Sequence, residues 1–443
     1  MRDTKCALVS LGCPKNQVDA EIMLGLLKEK GYQIITEEEK ADILIVNTCG
    51  FIGPAKEESI DTILALAEYK KEGKCKGLVV TGCLTQRYRD ELVKELPEVD
   101  AFLGTGDFPQ IVEVVQKILA GEKAILVSPQ PEFIYDHSVP RIHSGEISAY
   151  VKIAEGCDNC CTYCVIPQIR GRFRSRKMES IAKEVESLIE QGFKEIILVA
   201  QDTTRYGEDI YGKLMLPELL NKLCSITGQY WIRLLYCYPT RFTDELIEMI
   251  AKEEKICKYI EMPLQHIDEE IIKKMHRQGS RQEITRLLEK IRKRIPGVAL
   301  RTSFIVGFPG ETDEHFQNLL DFMQEIKFDR VGIFTYSQEE GTPAAQLPEQ
   351  ISEEIKQTRF HQAMQIQQGI SLQKNQEWVG KNMDILVEGP SQDSPDLLVG
   401  RSQRDAPEID GVVFIDKGHA LRGEIIKVKI KRALEYDLIG EIE

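Results

Sequence analysis

The sequence predicts an α/β protein in three parts: an N-terminal parallel-sheet α/β domain, a partial (β/α)6 barrel and a small all-β barrel at the C-terminal end. Three observations carry this. Over residues 1–120 short apolar runs alternate with amphipathic stretches, six more such units occupy 150–346, and five short β runs separated by Gly, Pro and Asp fill 381–443. Length agrees, since 443 residues at about 150 per domain make about three domains.

In the first part the strand candidates are Cys6 to Leu11, Asp42 to Asn47, Gly77 to Thr81 and Ala101 to Leu103. Helical periodicity follows them at Val18 to Lys30, Ile60 to Lys71 and Ile111 to Leu119. A connector over 121–148 contains Pro129, Pro131 and Pro140 and has no clean period. From Tyr150 onward VKIAEG, EIILVAQ, WIRLLY, YIEMPLQ, ALRTSFIVG and RVGIFTY read as strands, with helices such as Met178 to Gln191 and Gln282 to Ile295 between them. Six β/α units suggest an open barrel whose chemistry belongs at the carboxyl ends of its strands. A Gln-rich helix, Ile351 to Glu377, leads to MDILVEG, LLVGRS, GVVFID, IIKVKIKRAL and DLIGEIE, the pattern of a small β-barrel. The boundaries are 1–120, a linker over 121–148, 149–374 and 376–443.

Composition narrows the function. Hydrophobic residues are 42% and charged residues 29%, which excludes a largely disordered chain or a fibrous repeat. Lys and Arg number 57 against 71 Asp and Glu, a net charge of −14, so a basic protein partner suits the field better than naked nucleic acid. The opening MRDTKCALVSLGC has no cleavage-type segment, and no run of about 18 apolar residues occurs, so a cytoplasmic protein without a membrane anchor is expected. Twelve cysteines are too sparse for a disulfide scaffold, which favours a reducing compartment and metal chemistry.

The strongest local signal is Cys157-x-x-x-Cys161-x-x-Cys164, directly after VKIAEG. Three thiolates in one loop can ligate three irons of a [4Fe-4S] cube and leave the fourth open. Cys160 blurs the register, because Cys157, Cys160 and Cys164 are also closely spaced. A second trio is dispersed: Cys13, Cys49 and Cys83 end SLGC, VNTC and VTGC, each at once after a strand. A parallel sheet would put all three on one carboxyl edge, although cysteines are also often just small buried hydrophobes. Cys6, Cys75, Cys224, Cys237 and Cys257 share no placement and read as packing or surface residues.

The loop spacing, with Tyr163 before its last cysteine, resembles the radical S-adenosylmethionine (SAM) enzymes; their spacing assigns the cluster to Cys157, Cys161 and Cys164 and leaves Cys160 out. Both trios and the terminal barrel together make the whole chain resemble the methylthiotransferase family. That resemblance implies a radical SAM barrel, a terminal TRAM barrel that docks the substrate, and an auxiliary [4Fe-4S] cluster on Cys13, Cys49 and Cys83. It also implies insertion of a methylthio unit into a C–H bond with consumption of two SAM molecules. SAM contacts are expected from Tyr163, from Gln201, Asp202 and Thr203 after the second strand, from Gln265, and from Gly307 in the GFPGE turn. Arg170, Arg172, Arg174 and Arg176 form a basic run that usually marks a solvated face; here one arginine is expected to meet a carboxylate of substrate or cofactor.

The family divides into tRNA-adenosine modifiers, typified by MiaB, and enzymes acting on the β-carbon of an aspartate of ribosomal protein S12. SLGCPKNQVDAE, EGCDNCCTYCVIPQIRG, LRTSFIVGFPGET and GRSQRDAPEIDG resemble the second branch. The tRNA enzymes usually carry GCQMN in place of Gly12-Cys13-Pro14-Lys15-Asn16 and an acidic residue near Ser303. Charge agrees: Gln376 to Glu443 hold nine Lys/Arg and fourteen Asp/Glu, whereas an RNA-docking module should be basic. The expected partners are S12, free or on the small subunit, an electron donor such as flavodoxin or ferredoxin, and a sulfur donor, with neither tRNA nor membrane. The alternatives are the MiaB-type enzyme and a non-catalytic iron–sulfur protein on the ribosome.

Overall fold

The computed structural model describes residues 3–391, 394 and 397–443. Six parallel strands build the first sheet: β1 (Lys5–Ser10), β2 (Gln33–Ile34), β3 (Ile43–Thr48), β4 (Gly77–Gly82), β5 (Ala101–Leu103) and β6 (Ala124–Leu126), in the order β2-β1-β3-β4-β5-β6. All residues of β3 and β4 are buried, as expected of central strands covered on both faces. β2 and β6 extend the reading from sequence. β6 lies inside the stretch expected to be a connector, where Ala-Ile-Leu is too short to show a period but pairs with β5.

Helices α1 (Pro14–Glu29) and α2 (Gly53–Lys71) follow β1 and β3, and a single turn, α3 (Cys83–Arg87), follows β4. Pro14 sits in the first turn of α1, where its missing N–H costs nothing.

The second unit contains six parallel strands: β7 (Ser148–Lys152), β10 (Glu195–Val199), β11 (Trp231–Leu234), β12 (Tyr259–Glu261), β13 (Ala299–Val306) and β14 (Arg330–Thr335). Between the first two in sequence, β8 (Ala154–Glu155) pairs antiparallel with β9 (Arg174–Ser175) and frames the cysteine loop. The six strands form two hydrogen-bonded halves, β11-β10-β7 and β12-β13-β14. β11 ends before Tyr236, which takes a left-handed conformation (φ 62°), and the seam is crossed by isolated contacts, the Ile232–Ile256 bridge and the bond from Cys237 N–H to the Glu261 carbonyl (3.0 Å). A helix, Glu353–Gln376, capped by the Ser352 hydroxyl, leads away.

The last unit is a closed barrel of β15 (Asn382–Pro390), β16 (Leu398–Ser402), β17 (Val413–Lys417), β18 (Ile425–Ala433) and β19 (Leu438–Ile442). Alternate residues, among them Met383, Ile385, Val387, Val428 and Ile430, fill its interior. Residues 400–411 seat this barrel on the larger one. Arg401 and Arg233 both bind the fully buried Glu195 (2.6 and 2.7 Å), Arg330 binds Asp405 (2.7 Å), and Tyr259 donates to Asp410 (2.7 Å). Burial alone would raise the Glu195 carboxyl, but the two guanidiniums hold it down at about 2.

Candidate active site

β1, β3 and β4 are neighbours in the sheet, so their carboxyl ends bring Cys13, Cys49 and Cys83 to one edge. Glycine lets these loops touch. A Cβ on Gly12 (φ +87°) would lie 2.9 Å from Cys49 Cβ, and one on Gly50 would lie 2.7 Å from the Leu84 backbone beside Cys83. Asn16 ties the loops together by donating to the carbonyls of Leu11 (3.0 Å) and Thr48 (2.9 Å), while Asn47 donates to the Asn16 carbonyl (2.7 Å).

The loop after β8 supplies Cys157, Cys161 and Cys164. Cys157 N–H donates to the Gly171 carbonyl (3.1 Å) and Cys164 N–H to the Cys161 carbonyl (3.1 Å), which folds the loop inward. All six thiols line one cavity of about 490 Å³. Cys160 is exposed and lies outside that wall, its backbone carbonyl held by the ring of His276 (2.9 Å). Cys237, expected to be ordinary packing, is buried yet also lines the cavity.

A buried ionic cluster joins the two trios. Arg170 pairs with Asp19 (2.6 Å) and Glu155 (3.5 Å), donates to the Asn16 side-chain carbonyl, and approaches Cys83 Sγ at 3.4 Å. Lys152 bridges the same two acids, at 2.5 Å to Asp19 and 2.7 Å to Glu155. Burial would raise the Glu155 carboxyl, but Lys152 and Arg170 hold it well below the ordinary range. This corrects the reading of the arginine run. Arg170 and Arg176 are buried on the protein's own carboxylates, Arg176 on Glu184 (2.6 Å), and of the four only Arg172 is exposed.

Tyr163, Gln201 and Gln265 line the cavity. Gln201 donates to Glu155 (2.6 Å), and its own carbonyl oxygen is buried without a partner. Gln265 and Tyr236 are both left-handed (φ 72° and 62°), a strain of order 1–3 kcal/mol each that concentrates at functional sites. Asp202, Thr203 and Gly307 stand behind the wall. Asp202 holds Asn159 of the cysteine loop (2.9 Å) and Arg241 (2.8 Å), Thr203 donates to the Leu235 carbonyl, and Gly307 N–H donates to Glu311 (3.0 Å). Reasoning from sequence missed Asn16, Tyr236 and Arg277 as wall residues; Asn16 carried a signal, its place three residues after Cys13.

A second cavity of about 740 Å³ shares Phe51, Tyr163, Tyr236, Pro263, Gln265 and Phe334 with the first. Its rim includes Phe51, Phe334 and Ile409, all exposed, the last from the loop that docks the terminal barrel.

The Radical SAM superfamily model matches residues 151–323, the TRAM domain 379–442, and uncharacterized protein family UPF0004 residues 5–104. Ribosomal protein uS12 methylthiotransferase RimO of Heliobacterium modesticaldum is 55% identical over 438 residues, 99% of this chain and 95% of that one. The chain belongs to the RimO family. RimO of Desulforamulus reducens is 56% identical over 437 residues, 98% of each chain. Among solved structures, the radical SAM methyltransferase TsrM of Kitasatospora setae superposes with a TM-score of 0.58 at 16% identity, covering 77% of this chain and 76% of that one, which is a likeness of fold.

For a RimO-family chain the donor set is apt. Each trio offers three thiols to the one cavity, the number that a [4Fe-4S] cube with one free iron would take from the protein. Burial pushes the thiols of Cys83 and Cys164 up to about 12 and that of Cys157 to about 11, so in the metal-free chain these thiols are neutral and metal binding displaces their protons. Among the described residues no group of three His, Cys, Asp or Glu side chains converges on one ion position; a cube takes each thiolate on a different iron.

Proposed function

We propose that this protein is a radical SAM methylthiotransferase that inserts a methylthio group at the β-carbon of an aspartate of ribosomal protein uS12. The observation that carries this is the meeting of Cys13, Cys49 and Cys83 with Cys157, Cys161 and Cys164 around one cavity. Two [4Fe-4S] clusters and SAM, when bound, supply hydrogen-atom abstraction, a sulfur atom and a methyl group. Cys157, Cys161 and Cys164 would hold the SAM-binding cluster and Cys13, Cys49 and Cys83 the auxiliary one.

The chain's own residues orient and enclose. Tyr163, Gln201 and Gln265 face the cavity where SAM would lie, and the unpartnered Gln201 carbonyl offers an acceptor to its amino group. Asp202 and Thr203 brace the loop and strand from behind, and Gly307 shapes the adjoining turn. Tyr236 and Gln265 border both cavities, so the outer one, with its apolar rim, is the route for a protein side chain toward the clusters.

The reading includes a first domain over 1–120, a linker over 121–148, a radical domain over 149–374 and a TRAM domain over 376–443. It also includes a cytoplasmic location, a low-potential electron donor of the flavodoxin or ferredoxin class, and a sulfur donor. Among the described residues no helix is long and apolar enough to cross a membrane. Mass spectrometry of uS12 and of tRNA nucleosides from a deletion strain tests the assignment. Loss of the methylthio group from uS12 alone is expected, and loss of methylthioadenosine alone would overturn it.

A further inference from the structure

Three cations line the inner cavity: Lys15, Arg170 and Arg277. Arg170 is bound by Asp19 and Glu155. Arg277 donates to the Pro263 carbonyl (2.6 Å) and the Tyr163 hydroxyl (3.3 Å) and lies over the Tyr238 ring, all on the Cys161 side. Arg277 likewise has no carboxylate partner among the described residues, but its guanidinium is taken up by that carbonyl and hydroxyl; among the same residues Lys15 has neither a carboxylate nor a carbonyl partner. Its side chain is buried, with 8% exposure for the residue, its ammonium lies 3.3 Å from the centre of the Tyr236 ring, and no carboxylate of the described residues reaches ion-pair distance.

The nearby acids are occupied. Glu155 binds Lys152 and Arg170; Glu261 binds Arg301 (3.3 Å) and accepts from the Tyr236 N–H. Taking an ammonium out of water is costly, and contact with an aromatic face returns only part of that cost. No carboxylate of the described residues takes up this ammonium directly, so the Tyr236 face, and in the cluster-loaded protein the Cys13 thiolate two residues away, are its nearest counterparts, and an anion entering the cavity can still pair with it. Lys15 also lies in the first turn of α1, whose amino end adds positive potential at the same place. Tyr236, its ring partner, borders the outer cavity, so an anionic group coming in past Phe51 and Phe334 meets Lys15, a cation with neither a carboxylate nor a carbonyl partner among the described residues.

We propose that Lys15 anchors the carboxylate of the substrate side chain and is the residue that selects an aspartate. This rests on the function proposed above, in which the carbon attacked is the β-carbon, bonded directly to that carboxylate. Gripping the carboxylate fixes the reacting carbon one bond away, among the two cysteine trios. The carboxylate is held and is not consumed.

The test compares full-length uS12 with its variant carrying Asn in place of the modified aspartate, on the cluster-loaded wild type, Lys15→Met and Lys15→Arg. Equilibrium binding and methylthio product are both read, so a variant that turns over poorly still yields a binding ratio. Wild type and Lys15→Arg should prefer the aspartate form by about tenfold or more, and Lys15→Met should reduce that preference to about twofold or less. A Lys15→Met protein that keeps the wild-type preference would overturn the anchor. If the wild type instead leaves uS12 unmodified and modifies another acceptor, the functional reading itself has failed.

Discussion

Arg170, from the helix after the cysteine loop, places a guanidinium nitrogen 3.4 Å from Cys83 Sγ at the edge of the first sheet. The same guanidinium is clamped by Asp19 and Glu155, so one buried cation serves the first domain, the radical barrel and a thiol of the dispersed trio at once. The two cysteine sites are thus joined by a rigid ionic contact as well as by a shared cavity.

Removing that cation leaves two acids buried with Lys152 alone. Arg170→Met should lower stability by about 3–5 kcal/mol, read as a fall in the calorimetric melting temperature. Arg170→Lys should recover part of it, because the charge returns without the fork that reaches Asp19, Glu155 and Asn16 together.

Iron content separates the two trios. The loaded wild type should hold about eight irons per chain, and the triple Ala variant of Cys13, Cys49 and Cys83 about four. Cys160→Ala should keep the wild-type count, because Cys160 is exposed outside the cavity. A Cys160→Ala chain that loses half its iron would reverse the assignment of Cys161.

Gly12→Ala should disturb the dispersed trio without unfolding the domain. Its new methyl would stand 2.9 Å from Cys49 Cβ in a backbone conformation that alanine resists. The expected result is a fall toward about four irons, with the signal of the loop cluster retained in electron paramagnetic resonance spectra.

The docking of the terminal barrel should be acid-sensitive. Glu195 is held at about 2 in the folded chain, below its ordinary 4.5, so its contribution is present above about pH 4.5 and is lost as pH falls toward 2. The contribution is on the order of 3 kcal/mol, given about 1.4 kcal/mol per pKa unit. Glu195→Gln should lower the melting temperature at neutral pH and flatten its fall between pH 4.5 and 2; an unchanged acid profile would remove Glu195 from the account.

Much of this was legible in the sequence, for a physical reason in each case. The trio of Cys13, Cys49 and Cys83 could be placed because each follows a strand, and adjacent parallel strands end at one edge. The barrel runs were visible because their interior residues alternate. Arg170 and Arg176 were misread because burial depends on Asp19, Glu155 and Glu184, whose proximity no local pattern encodes. Asp202, Thr203 and Gly307 do lie after strands, but turns such as the one at Thr203 direct their side chains or N–H groups into bracing bonds instead of the cavity. The break between β11 and β12 was invisible because the left-handed backbone that follows β11 falls on Tyr236, a residue that usually favours strands.

The most direct test of the central claim is anaerobic turnover of the cluster-loaded protein with SAM, a reductant, a sulfur donor and full-length uS12, followed by the intact mass of uS12 and fragmentation to locate any change. The account predicts a single methylthio increment on one aspartate, absent when either cysteine trio is replaced by alanine. Unmodified uS12 beside methylthiolated adenosine in tRNA offered to the same enzyme would contradict it.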